Sequence, residues 1–296
     1  MRTTDQNKNS LWADAWRRLK SDKLAMACFY IVIFFTILAI YGEIVYQYYH
    51  INDMNPVYQN INLANAYQPP SINNLMGTDG LGRDVMSRLI QGTRIAYKVG
   101  IITSLIAIPI GVILGCIAGY FGGKIDDFIV WFYSTVASMP GLLFILAIAM
   151  IFKGNGLLGI YLGIGLTTWV GLCRLIRGEV LKHKEQTYVQ AAQVLGISSL
   201  RIMFKHILPN IFHIIIVTFT LRFPAAIGTE VIMSYLGIGV QNQPSWGLML
   251  ESARMRLWQG MWWEMTFVTI ALFLLVLAFN LLGDSLRDSL DPRLSN

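Results

Sequence analysis

Charge is what this sequence has least of. Asp, Glu, Lys and Arg make up 14% of its 296 residues while 55% are hydrophobic, a balance that identifies an integral membrane protein. Cysteine is equally scarce. Cys28, Cys116 and Cys173 fall inside apolar segments without C-x-x-C spacing, so they read as small packing residues and say little about redox state. The four histidines (His50, His183, His206, His213) show no H-E-x-x-H pattern, which leaves a metal or hydrolytic site without support. No G-x-x-x-x-G-K-[S/T] occurs, so the chain supplies no phosphate-cradling nucleotide site of its own. No stretch could fold as an independent soluble domain, and no basic run is interleaved with aromatics on one. The net charge of +6 is therefore not a nucleic-acid footprint. Residues 1–23 are too long and polar a lead for a cleavable signal peptide, which predicts an uncleaved first helix.

What the chain does have is long apolar runs. Crossing about 30 Å of hydrocarbon at about 1.5 Å per residue takes about 20 residues. Leu24–Gly42, Val99–Gly123, Phe128–Phe152, Gly154–Cys173 and Met265–Gly283 meet this without a charge. A sixth run, Ile207–Ile238, qualifies if Arg222 and Glu230 are tolerated inside it. The expected fold is all-α with six transmembrane helices, which puts both termini on one side.

Basic residues mark which side. The N-terminal tail carries Arg2, Lys8, Arg17, Arg18, Lys20 and Lys23; the 174–206 loop carries Arg174, Arg177, Lys182, Lys184, Arg201 and Lys205; Lys124, Arg287 and Arg293 share their side. The opposite side has Arg83, Arg88, Arg94, Lys98, Lys153, Arg254 and Arg256. Both termini are expected in the cytoplasm. The chain divides into a cytoplasmic segment 1–23, a first span plus outer loop 24–94, a transmembrane core 95–286 holding the cytoplasmic loop 174–206, and a tail 287–296. The outer 46–94 stretch, with Pro56, Pro69 and Pro70, reads as a loop ordered by contacts and followed by a short helix. Trp246, Trp258, Trp262 and Trp263 suit an interfacial belt.

One polar element interrupts this pattern: Thr187 to Pro209, TYVQAAQVLGISSLRIMFKHILP. Thr187 with Gln190 three residues on fits a capping box. Gly196 can close the helix in the left-handed conformation, and Ser198 or Ser199 can cap the next, giving two short helices with a sharp corner. Ala191 and Ala192 allow close approach of another backbone, while Tyr188, Val189 and Leu195 offer apolar anchors. A helix of about two turns needs something to pack against. A soluble partner or the lipid headgroup layer would serve.

The order Ala191-Ala192, three residues, Gly196, then Leu208-Pro209 resembles the cytoplasmic signature loop of binding-protein-dependent ABC transporter permeases, where it forms the coupling helix seated on the ATP-binding subunit. Gln190 stands where the family usually has Glu, and His206 where the general motif has Ile. Further segments resemble the dipeptide, oligopeptide and nickel branch: Gly77-Thr78-Asp79-Gly80-Leu81-Gly82-Arg83-Asp84-Val85-Met86-Ser87-Arg88, Pro244-Ser245-Trp246-Gly247, and Gly283-Asp284-Ser285-Leu286-Arg287-Asp288-Ser289-Leu290-Asp291-Pro292. In the first, Asp79 can cap a helix and Asp84 can pair with Arg88 at i, i+4. In the last, Asp284, Arg287 and Asp288 can form a helix-end ion-pair cluster.

The resemblance implies a type I importer permease of the bacterial inner membrane, moving di- or oligopeptides and set in the lipid bilayer. Implied partners are a homologous second permease, two cytoplasmic ATP-binding subunits that hold ATP and Mg, and an extracytoplasmic substrate-binding protein. Nickel, another chelated metal or a modified peptide is the alternative cargo. A channel or sensor subunit with a partner-binding loop is the alternative outside the transporter class. Arg222 and Glu230 are candidates for the translocation path, because an ionisable group inside a span faces a bundle interior or a water-filled cavity. Eight residues apart, they lie about 80° apart around a helix, so one face could expose both. An internal ion pair would explain them equally. Pro109 and Pro140 read as kinks.

Overall fold

The computed structural model describes residues 11–152, 157–240 and 243–290. Among them the chain is helical, with no β-sheet and one isolated bridge between Thr78 and Asp84. Helix α1 (Leu11–Ser21) leads to α2 (Lys23–Ile51), whose N-terminus is capped by Asp22 accepting the Leu24 N–H at 2.9 Å. An irregular 52–84 loop precedes α3 (Val85–Phe121), 37 residues long. Then come α4 (Gly123–Ser138), α5 (Gly141–Ile151), α6 (Leu158–Thr167), α7 (Val170–Lys184), α8 (Thr187–Val194), α9 (Ser199–Arg201), α10 (Phe212–Tyr235), α11 (Trp246–Arg254) and α12 (Trp263–Leu290).

Five described stretches are long and apolar enough to cross a bilayer: Lys23–Ile51, Val85–Phe121, Leu158–Lys184, Ser199–Tyr235 and Trp263–Ser289. Helices α4 and α5 make a sixth if the pair counts as one span. They meet at 92°, so the Phe128–Phe152 run is an elbow, bent sharply at the kink expected at Pro140. Its cause is Pro140, which has no N–H and pushes Met139 out of the helical region to φ −80°, ψ 139°. Helices α3 and α10 pass through Pro109 and Pro224 without ending.

Helix α3 is the axis of the fold, touching α2, α4, α6, α7, α10 and α11. Its start corrects a second expectation, for no separate short helix follows the 46–94 loop. The first turns of α3 take its place, capped by Asp84, whose carboxylate accepts the Ser87 N–H at 2.7 Å. The charges that disguise this part of the span are each matched. Arg88 lies 3.4 Å from Asp79, Lys98 lies 2.8 Å from Glu43, and Arg94 donates to Gln243 at 2.7 Å while stacking on Tyr46.

At its other end α3 packs on α7 through Gly111, Gly115 and Gly119, which lie at every fourth position on one face. A Cβ there would sit 2.9, 2.7 and 2.7 Å from the carbonyl oxygens of Trp169, Cys173 and Arg177. Lipid is as apolar as Leu, so helices in a membrane associate through such close backbone contact more than through hydrophobic drive. Leu172, Ile176 and Val180 of α7 fill the space beside the glycines. Cys116 and Cys173 are buried within this packing, the small fillers the sequence suggests. Helix α1 lies along α12, with Leu19 buried among Ala25, Cys28, Ala278 and Leu282. Asp284, Arg287 and Asp288 form no ion pair among the described residues; Ser285 contacts Asp22 at 3.4 Å instead. Residues 291–296, including Asp291-Pro292, lie outside the described part.

Candidate functional site

Where α7 leaves the bundle, the chain turns at Glu185-Gln186 into α8. Gln186 is extended and caps the helix by backbone alone, so Thr187 is the first helical residue and the Thr187–Gln190 capping box does not form. The Gln190 amide reaches back to the Glu185 carbonyl at 3.2 Å. The C-terminal end is as the sequence suggests. Gly196 takes φ +72°, Ile197 donates to Ala192 O at 3.1 Å and Gly196 to Gln193 O at 3.0 Å, the paired bonds of a left-handed helix stop. The second helix is not a short separate one. Ser198 marks its start without a side-chain cap, and α9 widens through a π turn at Ile202–Ile207 and tightens to 3-10 at Leu208–Ile211 before joining α10. Pro209, with no N–H to donate, lies at that change of winding.

The two alanines face opposite ways. Ala192 and Val189 are buried against Tyr120, Ile176, Val180, Ile202, Met203 and Ile207, so Val189 is an internal anchor of α8 and not an outward one. Thr187, Tyr188, Gln190, Ala191, Leu195 and Gly196 face out. The tip is apolar: Val194 is 88% and Leu195 77% exposed, beside exposed Leu200. Tyr188 is steadied by a 2.8 Å hydrogen bond between its hydroxyl and His183 Nδ1. Arg177 of α7 makes a two-pronged contact with Asp126 of α4. The arrangement is an apolar knob at the turn between two candidate spans, braced on the α3–α7 seam.

The Gly77–Arg88 segment sits at the opposite end of α3. Gly77 and Gly82 take φ +75° and +70°, and an added Cβ would strike Gln68 O and Asn62 O respectively. The carboxylates exchange the roles the sequence suggests: Asp84 caps the helix, and Asp79 takes the arginines. Asp79 Oδ1 accepts from the Leu81 and Arg83 amides, both at 2.9 Å, and Oδ2 from Arg83 Nε at 2.7 Å. Thr78 accepts the Gln68 N–H on its hydroxyl and the Trp263 indole N–H on its carbonyl. The segment is a buried staple joining loop, α3 and α12. Two tryptophans of the expected belt belong to the core: Trp263 here, and Trp246, whose indole donates to Leu89 O at 3.1 Å. Trp258, 93% exposed, and Trp262 remain on the surface.

Arg222 and Glu230 do not share a face. Glu230 is 1% exposed and accepts from Ser234 Oγ at 2.6 Å, while Ser234 Oγ accepts from Val240 N, which pins the turn after α10. That is an internal bracing role. Arg222 instead lines a cavity of about 190 Å³ together with Thr103, Ser104, Thr168 and Thr229. It has no hydrogen bond or ion pair among the described residues. The sequence reading missed the glycine seam, although G-V-I-L-G-C-I-A-G shows its spacing plainly, and the Glu43–Arg94–Lys98 cluster, whose acid lies far in the chain from its two cations.

A family model for the binding-protein-dependent transport system inner membrane component matches residues 111–296, and one for the N-terminal TM domain of oligopeptide transport permease C matches residues 10–70. The chain is 40% identical over 282 residues to the dipeptide transport system permease protein DppC of Bacillus subtilis (strain 168), covering 95% of this chain and 85% of the relative. It is 38% identical over 289 residues to the oligopeptide transport system permease protein OppC of the same strain, covering 96% and 90%. To the glutathione transport system permease protein GsiD of Pectobacterium atrosepticum it is 34% identical over 293 residues, covering 99% and 94%.

Proposed function

The chain belongs to the family of binding-protein-dependent transport system inner membrane components, and from that premise we propose that it is the membrane-spanning subunit of an ATP-driven importer of di- and oligopeptides. The names of the relatives support peptide cargo. In this reading the chain pairs with a homologous permease, receives cargo from an extracytoplasmic binding protein, and rests on two ATP-binding subunits that hold ATP and Mg. It lies in the bacterial inner membrane with the α8 end in the cytoplasm, the side its basic residues favour.

One observation carries the mechanism: α8 is buried on one face and exposed on the other, with an apolar tip at Val194 and Leu195. Val194, Leu195 and Ala191 would enter a groove of an ATP-binding subunit. Val189 and Ala192 would pass its displacement to α7 and, across the glycine seam, to α3. Closure of the ATPase pair would thereby swing the spans between outward-open and inward-open states. With Gln190 in place of the family Glu, this contact rests on packing and hydrogen bonding without an ion pair.

Facing decides the test. Ala191→Trp or Val194→Asp leaves membrane insertion intact, weakens ATPase co-purification by about 30-fold, the scale of losing one interface hot spot, and stops uptake. Ala192→Trp instead overpacks the chain's own core and lowers its thermal stability. Normal ATPase association in both outward variants sinks the coupling assignment. For cargo, titrating the partner binding protein with dipeptides, longer peptides and nickel separates the readings; a response to nickel alone removes the peptide assignment.

A further inference from the structure

Arg222 is the one cation among the described residues lining the cavity between α3, α6 and α10, and no described residue neutralises it there. The acid on its own helix, Glu230, does not line this cavity and is bonded to Ser234. Thr218, Arg222, Ala225 and Thr229 fall at spacings of four, three and four along α10, which places them on one face. The opposite face, with Phe223, Ile227, Glu230 and Val231, is the one buried in the bundle. A guanidinium turned to hydrocarbon is costly enough that such groups face protein or a water-filled cavity. The polar stripe on α10 therefore lies against a path that lipid does not occupy.

The chemistry of the cavity is one-sided. Thr103, Thr168 and Thr229 donate their hydroxyl protons to carbonyls of their own helices, Val99, Ile164 and Ala225. That leaves Arg222 and Ser104, which makes no hydrogen bond among the described residues, as free donors. A volume of about 190 Å³ holds roughly six waters, enough for a carboxylate with part of its hydration. A planar two-pronged donor matches a carboxylate better than a point charge would.

We propose that Arg222, with Ser104, is a binding point for the terminal carboxylate of the transported peptide as it crosses the membrane. The proposal rests on the peptide-importer reading above. It assigns that cargo a contact and a direction of selectivity: a free C-terminal carboxylate is recognised in the path itself.

The test uses the complete complex in proteoliposomes, with trialanine and trialanine amide as probes, each supplied so that the binding protein is loaded to the same fraction. The unaltered complex is expected to import the acid on the order of tenfold faster than the amide, the scale of one charge-assisted hydrogen-bonded contact. Arg222→Gln brings that ratio near one by slowing the acid alone, and Arg222→Lys restores part of it. An equal loss for both probes, with weakened co-purification of the second permease, overturns the proposal in favour of an ion pair between subunits. A ratio unchanged in Arg222→Gln overturns it outright. Should Arg222→Gln fail to assemble, Arg222→Lys decides: a ratio lowered several-fold supports the contact, and an unaltered ratio removes it. Import of neither probe by the unaltered complex defeats the peptide reading itself, whereas import of both at equal rates defeats only the Arg222 contact.

Discussion

The two ends of α3 are held by different chemistry. Around Val85–Lys98 the helix is fixed chiefly by buried polar bonds: Asp84 to its first turn, Asp79 to Arg83 and Arg88, Gln91 to Gly42 O, Arg94 to Gln243. Around Gly111–Gly119 it is fixed by backbone shape against α7. Directional bonds between buried groups allow one register, because leaving one unmade costs about 1–3 kcal/mol. Packing of glycine faces has no such directionality, so small displacements along it break nothing. The comparison separates a fixed end from a compliant one, and α8 is attached to the compliant end.

The largest expected effect strikes the fixed end. Asp79→Ala strands Arg88, buried beside it, and should cost about 3–5 kcal/mol, read as loss of folded protein by thermal unfolding in detergent. A stability near that of the unaltered chain would show that the staple is dispensable. Next, Gly115→Leu at the compliant end drives a side chain into the Cys173 carbonyl and should cost about 1–3 kcal/mol by overpacking. Gly171→Leu on α7, where an added Cβ meets nothing within 4 Å, is the control. Equal tolerance of both would deny the seam its role. A smaller effect belongs to Trp263→Phe, which removes the hydrogen bond to Thr78 O while keeping most of the ring, a loss of about 1 kcal/mol. Loss of α8 function with stability kept would instead tie that end to coupling. Smallest of all, Thr187→Ala should change stability by less than about 0.5 kcal/mol, since Thr187 caps nothing; a loss near 1 kcal/mol would restore the capping box.

The same contrast explains what could be read from residues alone. Apolar runs located α2 and α12 because hydropathy needs no partner to be visible. Gly196 announced its left-handed stop because few other residues adopt that conformation without strain. The start of α3 was hidden, since Arg88, Arg94 and Lys98 look like loop residues until Asp79, Glu43 and Gln243 are brought to them from elsewhere in the chain. The roles of Asp79 and Asp84 were exchanged for a related reason: either could cap, and the choice is made by Trp263 and Gln68 fixing Thr78. Arg222 and Glu230 were legible as unusual residues. Their different surroundings, a cavity for one and a serine for the other, depend on which side of α10 meets its neighbours, which no helical spacing states.

Val194, Leu195 and Leu200 also bear on the life of the chain before assembly. An apolar knob this open, carried at the turn between two candidate spans, marks an unassembled copy as adhesive. In the proposed importer such a copy would be a substrate for proteolytic surveillance, and a surplus of this subunit over the proposed ATPase should be short-lived. Matched synthesis of the two is then a requirement set by three side chains, and pulse-chase turnover with and without the ATPase would measure it.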